Sequence, residues 1–293
     1  MLTYVVQSKL VSMLALGIGS FIVGVAPVCF VSRVKDLQQK LLLSCTLCFG
    51  GGVLFATAVL HMLPETREAL PEHAELVFAC GFLLLYLIDE SVHYVWGICS
   101  HYKRVPGRCR HSHQVSYFPT TRAPAACSNE EATFLCHGTH TEPCSDSNTG
   151  LVGLLLALTV HSVLEGLAIG LQKVIFLAGA VASHKFVVGF CLGLELAGAG
   201  STIIKLILAI FVFSGGSAVG IGIGMLQRWS TVALPILQGL AGGTLLYVTV
   251  SEVLPRERAR WHRSARRSAG IIQFFFVLLG FVVVFLLNSY VGT

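Results

Sequence analysis

Eight apolar runs, each long enough to cross a lipid bilayer as a helix, divide this sequence almost from end to end. A hydrocarbon core about 30 Å thick is crossed by roughly 20 helical residues. The runs cover approximately residues 10–31, 41–63, 74–98, 149–171, 175–199, 202–226, 231–254 and 270–291. Lipid offers backbone amides and carbonyls no hydrogen-bond partner, so only helices and closed barrels can span it. A barrel is written in strands of about ten residues with alternating polarity, whereas these runs are continuous and rich in Leu, Val and Gly. The expectation is an all-α polytopic membrane protein with eight transmembrane helices, forming one domain over residues 1–293. Composition agrees: 54% of residues are hydrophobic and 12% charged, and the mean hydropathy is +0.76, outside the range of ordinary soluble domains. The first run lacks a small-residue cleavage site with a mature domain behind it and reads as a retained span.

An even number of spans puts both termini on one side, and Lys and Arg in short loops mark the cytosolic side. Fifteen of the twenty Lys and Arg fall in or beside the loops after spans one, three, five and seven: residues 33–40, 103–122, Lys205 and 256–267. Lys9, Arg67, Lys173 and Arg228 lie on the other side, and Lys185 lies within span five. Both termini are therefore expected outside, extracellular at a plasma membrane or lumenal in an organelle. The net charge of +5 reads as this orientation signal, with no nucleic-acid partner implied.

Between residues 99 and 148 the chain turns to His, Cys, Ser, Thr, Pro and Arg without sustained apolar periodicity, the pattern of a flexible cytosolic loop. The loop carries His101, His111, His113, Cys136, His137, His140 and Cys144. These are ligand types suited to zinc or copper, in a spacing that matches no standard zinc finger. Metal capture and a solvated linker are both open for it.

Residues 51–65, closing span two, align without gaps with residues 242–256, closing span seven. Glycine pairs, Leu54 with Leu245, Val59 with Val250, and the ends Leu63-Pro64 and Leu254-Pro255 coincide. The orientation places these segments in opposite directions, an inverted-repeat arrangement that many secondary transporters use. His61 and Glu252 then hold equivalent places at opposite faces, one at the outer mouth and one at the inner exit.

Ionisable side chains inside a span are costly and by default mark ion paths or bound ligands. His161 and Glu165 lie four residues apart in span four; on a helix they face the same way and can hold one ion between them. The same stripe continues through Ala168 to Gln172. Span five presents His184, Val188, Cys191 and Glu195 on one stripe, with Lys185 about 100° around the helix and Glu165 as its candidate partner. Imidazoles with a carboxylate and a thiol favour a borderline-soft divalent ion such as zinc over calcium or magnesium. Interhelical hydrogen bonding alone would not require the added charge of Glu165. Asp89, Glu90 and His93, near the inner end of span three, read as a solvated edge.

These residues resemble the ZIP family of zinc transporters over the whole chain apart from the 99–148 loop. The carrying motifs are the twelve residues from His161 to Gln172, His184-Lys185, and His61-Met62-Leu63-Pro64-Glu65. The family's pattern in span four is His-Asn-x-Pro-(Glu/Asp)-Gly, so the resemblance implies His161, Glu165 and His184 as primary-site ligands. Here Ser162 and Leu164 replace the Asn and Pro, and in span five Lys185, Val187 and Val188 replace an acid, a proline and a glutamate. These departures imply a single metal site, with the Lys185 ammonium where a second cation would otherwise sit. The resemblance also implies movement of zinc into the cytosol; the expected path runs past His61, Gln172, Lys185, Cys191, Glu195 and Glu252. Zinc is then a transported substrate, with no prosthetic cofactor.

Other divalent metals compete for such ligands, and a homodimer is an open assembly. The rival classes are a metal-sensing receptor signalling through the Cys/His loop and an intramembrane metallohydrolase. The second would need a motif such as His-Glu-x-x-His, which the sequence lacks, so no enzyme is expected.

Overall fold

The apolar runs fold as helices in the computed structural model, which describes residues 2–31, 37–103, 147–171, 176–199, 201–226, 232–262 and 269–291. The helices are α1 (Leu2–Val31), α2 (Leu37–Ala56), α3 (Leu63–Ala69), α4 (Ala74–Lys103), α5 (Ser147–Leu171), α6 (Phe176–Gly198), α7 (Ile203–Leu226), α8 (Ala233–Tyr247), α9 (Leu254–His262) and α10 (Ala269–Val291). Two π-helical stretches, Thr57–Met62 and Val248–Val253, join α2 to α3 and α8 to α9. No strand occurs among the described residues.

Among the described residues, seven stretches are long and apolar enough to cross a membrane: Val6–Cys29, Leu41–Ala69, Leu151–Leu171, Val181–Gly198, Ile203–Leu226, Ala233–Ala259 and Gly270–Tyr290. The eighth span of the sequence reading is α4. Its 30 residues make a rod about 45 Å long, with Glu75, Asp89 and Glu90 interrupting its apolar surface. It continues to Lys103 and α5 starts at Ser147, so helix extends into both ends of the expected loop. Residues 104–146, which hold most of that loop and its Cys/His motifs, lie outside the described residues.

The exterior is apolar: Ile204, Phe211, Phe274 and Leu287 are exposed, as suits a surface solvated by lipid. Only 11% of the α10 span is buried, against 67% of the spans built on α2 and α8, so the latter two lie centrally. Helices α1, α5, α6 and α7 pack on one another through α1 on α6 and α7 and α5 on α7, while α2 packs on α10 and α4 on α8. Contacts of α5 with α8 and of α2 with α6 join the two sets.

Small residues set these distances, because van der Waals packing has to substitute for a hydrophobic drive in lipid. A Cβ on Gly220 of α7 would strike the Val163 carbonyl of α5, and one on Gly166 of α5 would strike the Ser217 carbonyl of α7. Gly52 meets the backbone of Val277 in α10, and Gly243 meets that of Phe78 in α4. Gly52 and Gly243 are partners in the gapless repeat, as are the two π-helical stretches, so the repeated sequence folds and packs alike in both places. Each π stretch is followed by Leu-Pro. Pro64 has no amide to give the Leu60 carbonyl four residues back, and Asn288 of α10 donates to that carbonyl instead at 3.0 Å.

Candidate metal centre

Helix α5 carries His161 and Glu165 one turn apart, and α6 brings His184 against them. All three are buried, 1%, 2% and 3% exposed. His161 Nε2 lies 3.1 Å from Glu165 Oε1, and His184 Nε2 is hydrogen-bonded to the same oxygen. One ligand atom from each residue lies within 4.8 Å of the other two. Nitrogen and oxygen ligands held 2.0–2.2 Å from zinc stand roughly 3–4 Å apart, so small side-chain shifts suffice for all three to share one ion. Among the described residues no other three His, Cys, Asp or Glu side chains converge this way.

The surroundings orient the ligands. His161 Nδ1 lies 3.0 Å from the Ala241 carbonyl of α8 and 3.0 Å from Thr244 Oγ1. A carbonyl only accepts, so Nδ1 carries a proton and Nε2 is the nitrogen turned toward Glu165. That nitrogen faces the Glu165 carboxylate and has no other polar partner among the described residues. Lys185 Nζ stands 3.5 Å from Glu165 Oε2, donates to Ser162 Oγ at 2.8 Å and lies 4.8 Å from the Phe213 ring centroid. Ser162 in turn donates to the Phe213 carbonyl at 2.9 Å. The Lys185–Glu165 pairing anticipated from the sequence is therefore present.

One cleft among the described residues reaches the cluster, and a second lies further along α5 and α6. One is lined by His61, Glu65, Glu165, Ala168, His184 and Gln238; the other by Leu154, Leu158, Val188, Cys191, Glu195 and Arg256, among others. Along α5, Leu154 and Leu158 line the second cleft and Glu165 and Ala168 the first, with His161 between them in sequence. In the first cleft His61 Nε2 lies 3.9 Å from Glu65 Oε2, and Gln238 donates to Glu65 Oε1 at 3.2 Å. In the second, Val188, Cys191 and Glu195 continue the α6 stripe below His184, and Arg256 pairs with both Glu252 and Glu195. Gln172 falls outside the described residues.

The family profile described as ZIP Zinc transporter matches residues 6–288. The chain belongs to the ZIP family. It is 28% identical to Zinc transporter ZIP1 of Danio rerio over 276 residues, 84% of each chain. It is 30% identical to Zinc transporter ZIP3 of Bos taurus over 286 residues, 85% of this chain and 86% of that one. With the human Zinc transporter ZIP1 it shares 26% over 309 residues, 95% of this chain and 91% of that one. Membership in this family of transporters agrees with the expectation that the chain is not an enzyme.

Several contributors in this ZIP chain escaped the sequence reading. Thr244 and the Ala241 carbonyl come from a helix 80 residues away from His161, and no spacing rule points to them. Arg256 reads from the sequence only as a cytosolic charge, although the gapless repeat pairs it with Glu65 as it pairs Glu252 with His61. Asp89, read as a solvated edge, instead accepts a hydrogen bond from Tyr247 at 3.1 Å, while Glu90 is exposed.

Proposed function

We propose that this ZIP chain carries zinc into the cytosol through one site at mid-membrane, formed by His161, Glu165 and His184, by exposing that site alternately to its two clefts. The observation that carries the reading is the convergence of three buried ligands from α5 and α6, two of which, Glu165 and His184, line the cleft that also holds His61 and Glu65. Two imidazoles and a carboxylate replace the water shell of a borderline-soft divalent ion. The cleft holding His61 and Glu65 is the outer approach, reaching Glu165 and His184, and the cleft holding Cys191, Glu195 and Arg256, with Glu252 paired to Arg256, is the inner exit. The bias of Lys and Arg places both termini outside, which makes the repeated segments an inverted pair. The Lys185 ammonium supplies a fixed positive charge beside Glu165 where a second cation would otherwise bind.

The test is zinc uptake by the purified full chain in liposomes. Saturable uptake should vanish when His161 and His184 are both changed to Ala, with the thermal unfolding transition of the detergent-solubilised protein retained. Unchanged uptake in a folded double variant would refute the site.

A further inference from the structure

Arg256 is 8% exposed, at the foot of the exit cleft, with its guanidinium between two carboxylates that the proposed path uses. Its Nη2 is ion-paired with Glu252 Oε2, one turn back on its own segment. Its Nη1 reaches Glu195 Oε1 of α6 at 3.9 Å, the outer limit of a direct ion pair. Beyond these groups, toward the metal centre, Leu154, Leu158, Val188, Leu192 and Val248 line the cleft.

The two attachments differ in kind. The segment carrying Arg256 is fastened to α2 and α10 through the next residue. Ser44 of α2 donates to Glu257 Oε2 at 2.5 Å, and Gln273 of α10 donates to Ser44 Oγ at 2.9 Å and to the Glu257 carbonyl at 3.2 Å. Glu195 belongs to α6, which packs chiefly on α1. The short pair with Glu252 therefore holds within one set of helices, and the longer pair with Glu195 bridges to the other. A charge pair at its distance limit between separately mounted elements is the first to part when they shift.

We propose that Arg256 is the exit's tethered cation, a latch that keeps the inner cleft shut by engaging Glu195 and that gives up this carboxylate when the cleft opens. A departing divalent ion then competes with a monovalent guanidinium for Glu195 and Glu252. This couples ion release to parting of the two helix sets, and it prevents the open carboxylate pair from trapping the ion. The inference rests on the transport reading for the direction of flow, but the latch itself can be read without zinc.

Cys191 lines the same cleft and is buried, which makes its thiol the reporter. The full chain in zinc-free liposomes is treated with N-ethylmaleimide, and modification of Cys191 is quantified by peptide mass spectrometry in wild type, Arg256→Gln, Glu195→Gln and the double variant. Each single change should raise Cys191 modification several-fold, and the double variant should add nothing to Arg256→Gln, because that change already removes the contact with Glu195. Arg256→Lys, which keeps the charge, should stay near wild type. A Cys191 as protected in folded Arg256→Gln and Glu195→Gln as in wild type would overturn the latch, as would additive effects. Zinc uptake by wild type in the same liposomes separates the two claims. Absent uptake with the labelling pattern intact removes the transport reading and leaves the latch.

Discussion

Lys185 holds the oxygen of Glu165 that faces away from the histidines: its Nζ lies 3.5 Å from Oε2, while His161 and His184 both address Oε1. One carboxylate is thus divided between the Lys185 side chain and the ligand cluster. Two unit charges a few ångströms apart interact by several kcal/mol even at an effective dielectric of about 20, so Lys185 weakens the hold of Glu165 on any ion. Lys185→Met should tighten equilibrium zinc binding by roughly tenfold or more and slow turnover, so that both KM and the maximal uptake rate fall. Calorimetric titration and uptake kinetics read the two effects separately; weaker binding in the folded variant would contradict this.

Ser162 relays between Lys185 and the Phe213 carbonyl, and removing it leaves both without that partner. Ser162→Ala should lower stability by about 1–3 kcal/mol, the cost of buried polar groups left unsatisfied. A fall in the thermal midpoint in detergent, only partly restored by zinc, is the expected result.

The contact of α5 with α7 depends on Gly166 and Gly220, where an added Cβ meets backbone rather than a movable side chain. Gly220→Val should separate the helices and displace Ser162 and Glu165, costing roughly 1–3 kcal/mol by overpacking and abolishing uptake. Gly222, which has open space at its Cβ position, is the control, and Gly222→Ala should behave as wild type in both assays.

Asn288 replaces the donor that Pro64 lacks, through its bond to the Leu60 carbonyl next to His61. Asn288→Leu should cost about 1–3 kcal/mol and disturb the π-helical stretch that carries His61. Uptake at low zinc should fall more than uptake at saturating zinc if His61 serves the outer approach. Equal losses at both concentrations would place the effect elsewhere.

The helical class, the approximate number and position of the spans, and the principal cluster were legible because membrane crossing imposes long apolar runs and makes every charge within them conspicuous. His161, Glu165, His184 and Lys185 stood out by that rule, and helical periodicity placed the first two on one face. The same periodicity predicted the α6 stripe from His184 to Glu195. The gapless repeat reached the level of backbone: both copies contain a π-helical stretch followed by Leu-Pro.

What the tertiary structure alone decided is which groups meet across helices. The tautomer of His161 depends on a carbonyl of α8, the Leu60 carbonyl depends on α10, and Asp89 finds Tyr247. The role of Arg256 changes from a surface charge to a buried bridge once Glu195 is brought beside it. Local sequence fixes how a helix presents its side chains, because that follows from 3.6 residues per turn. Rotation and approach of one helix against another are set by many small contacts, glycine against backbone above all, and no single segment encodes them.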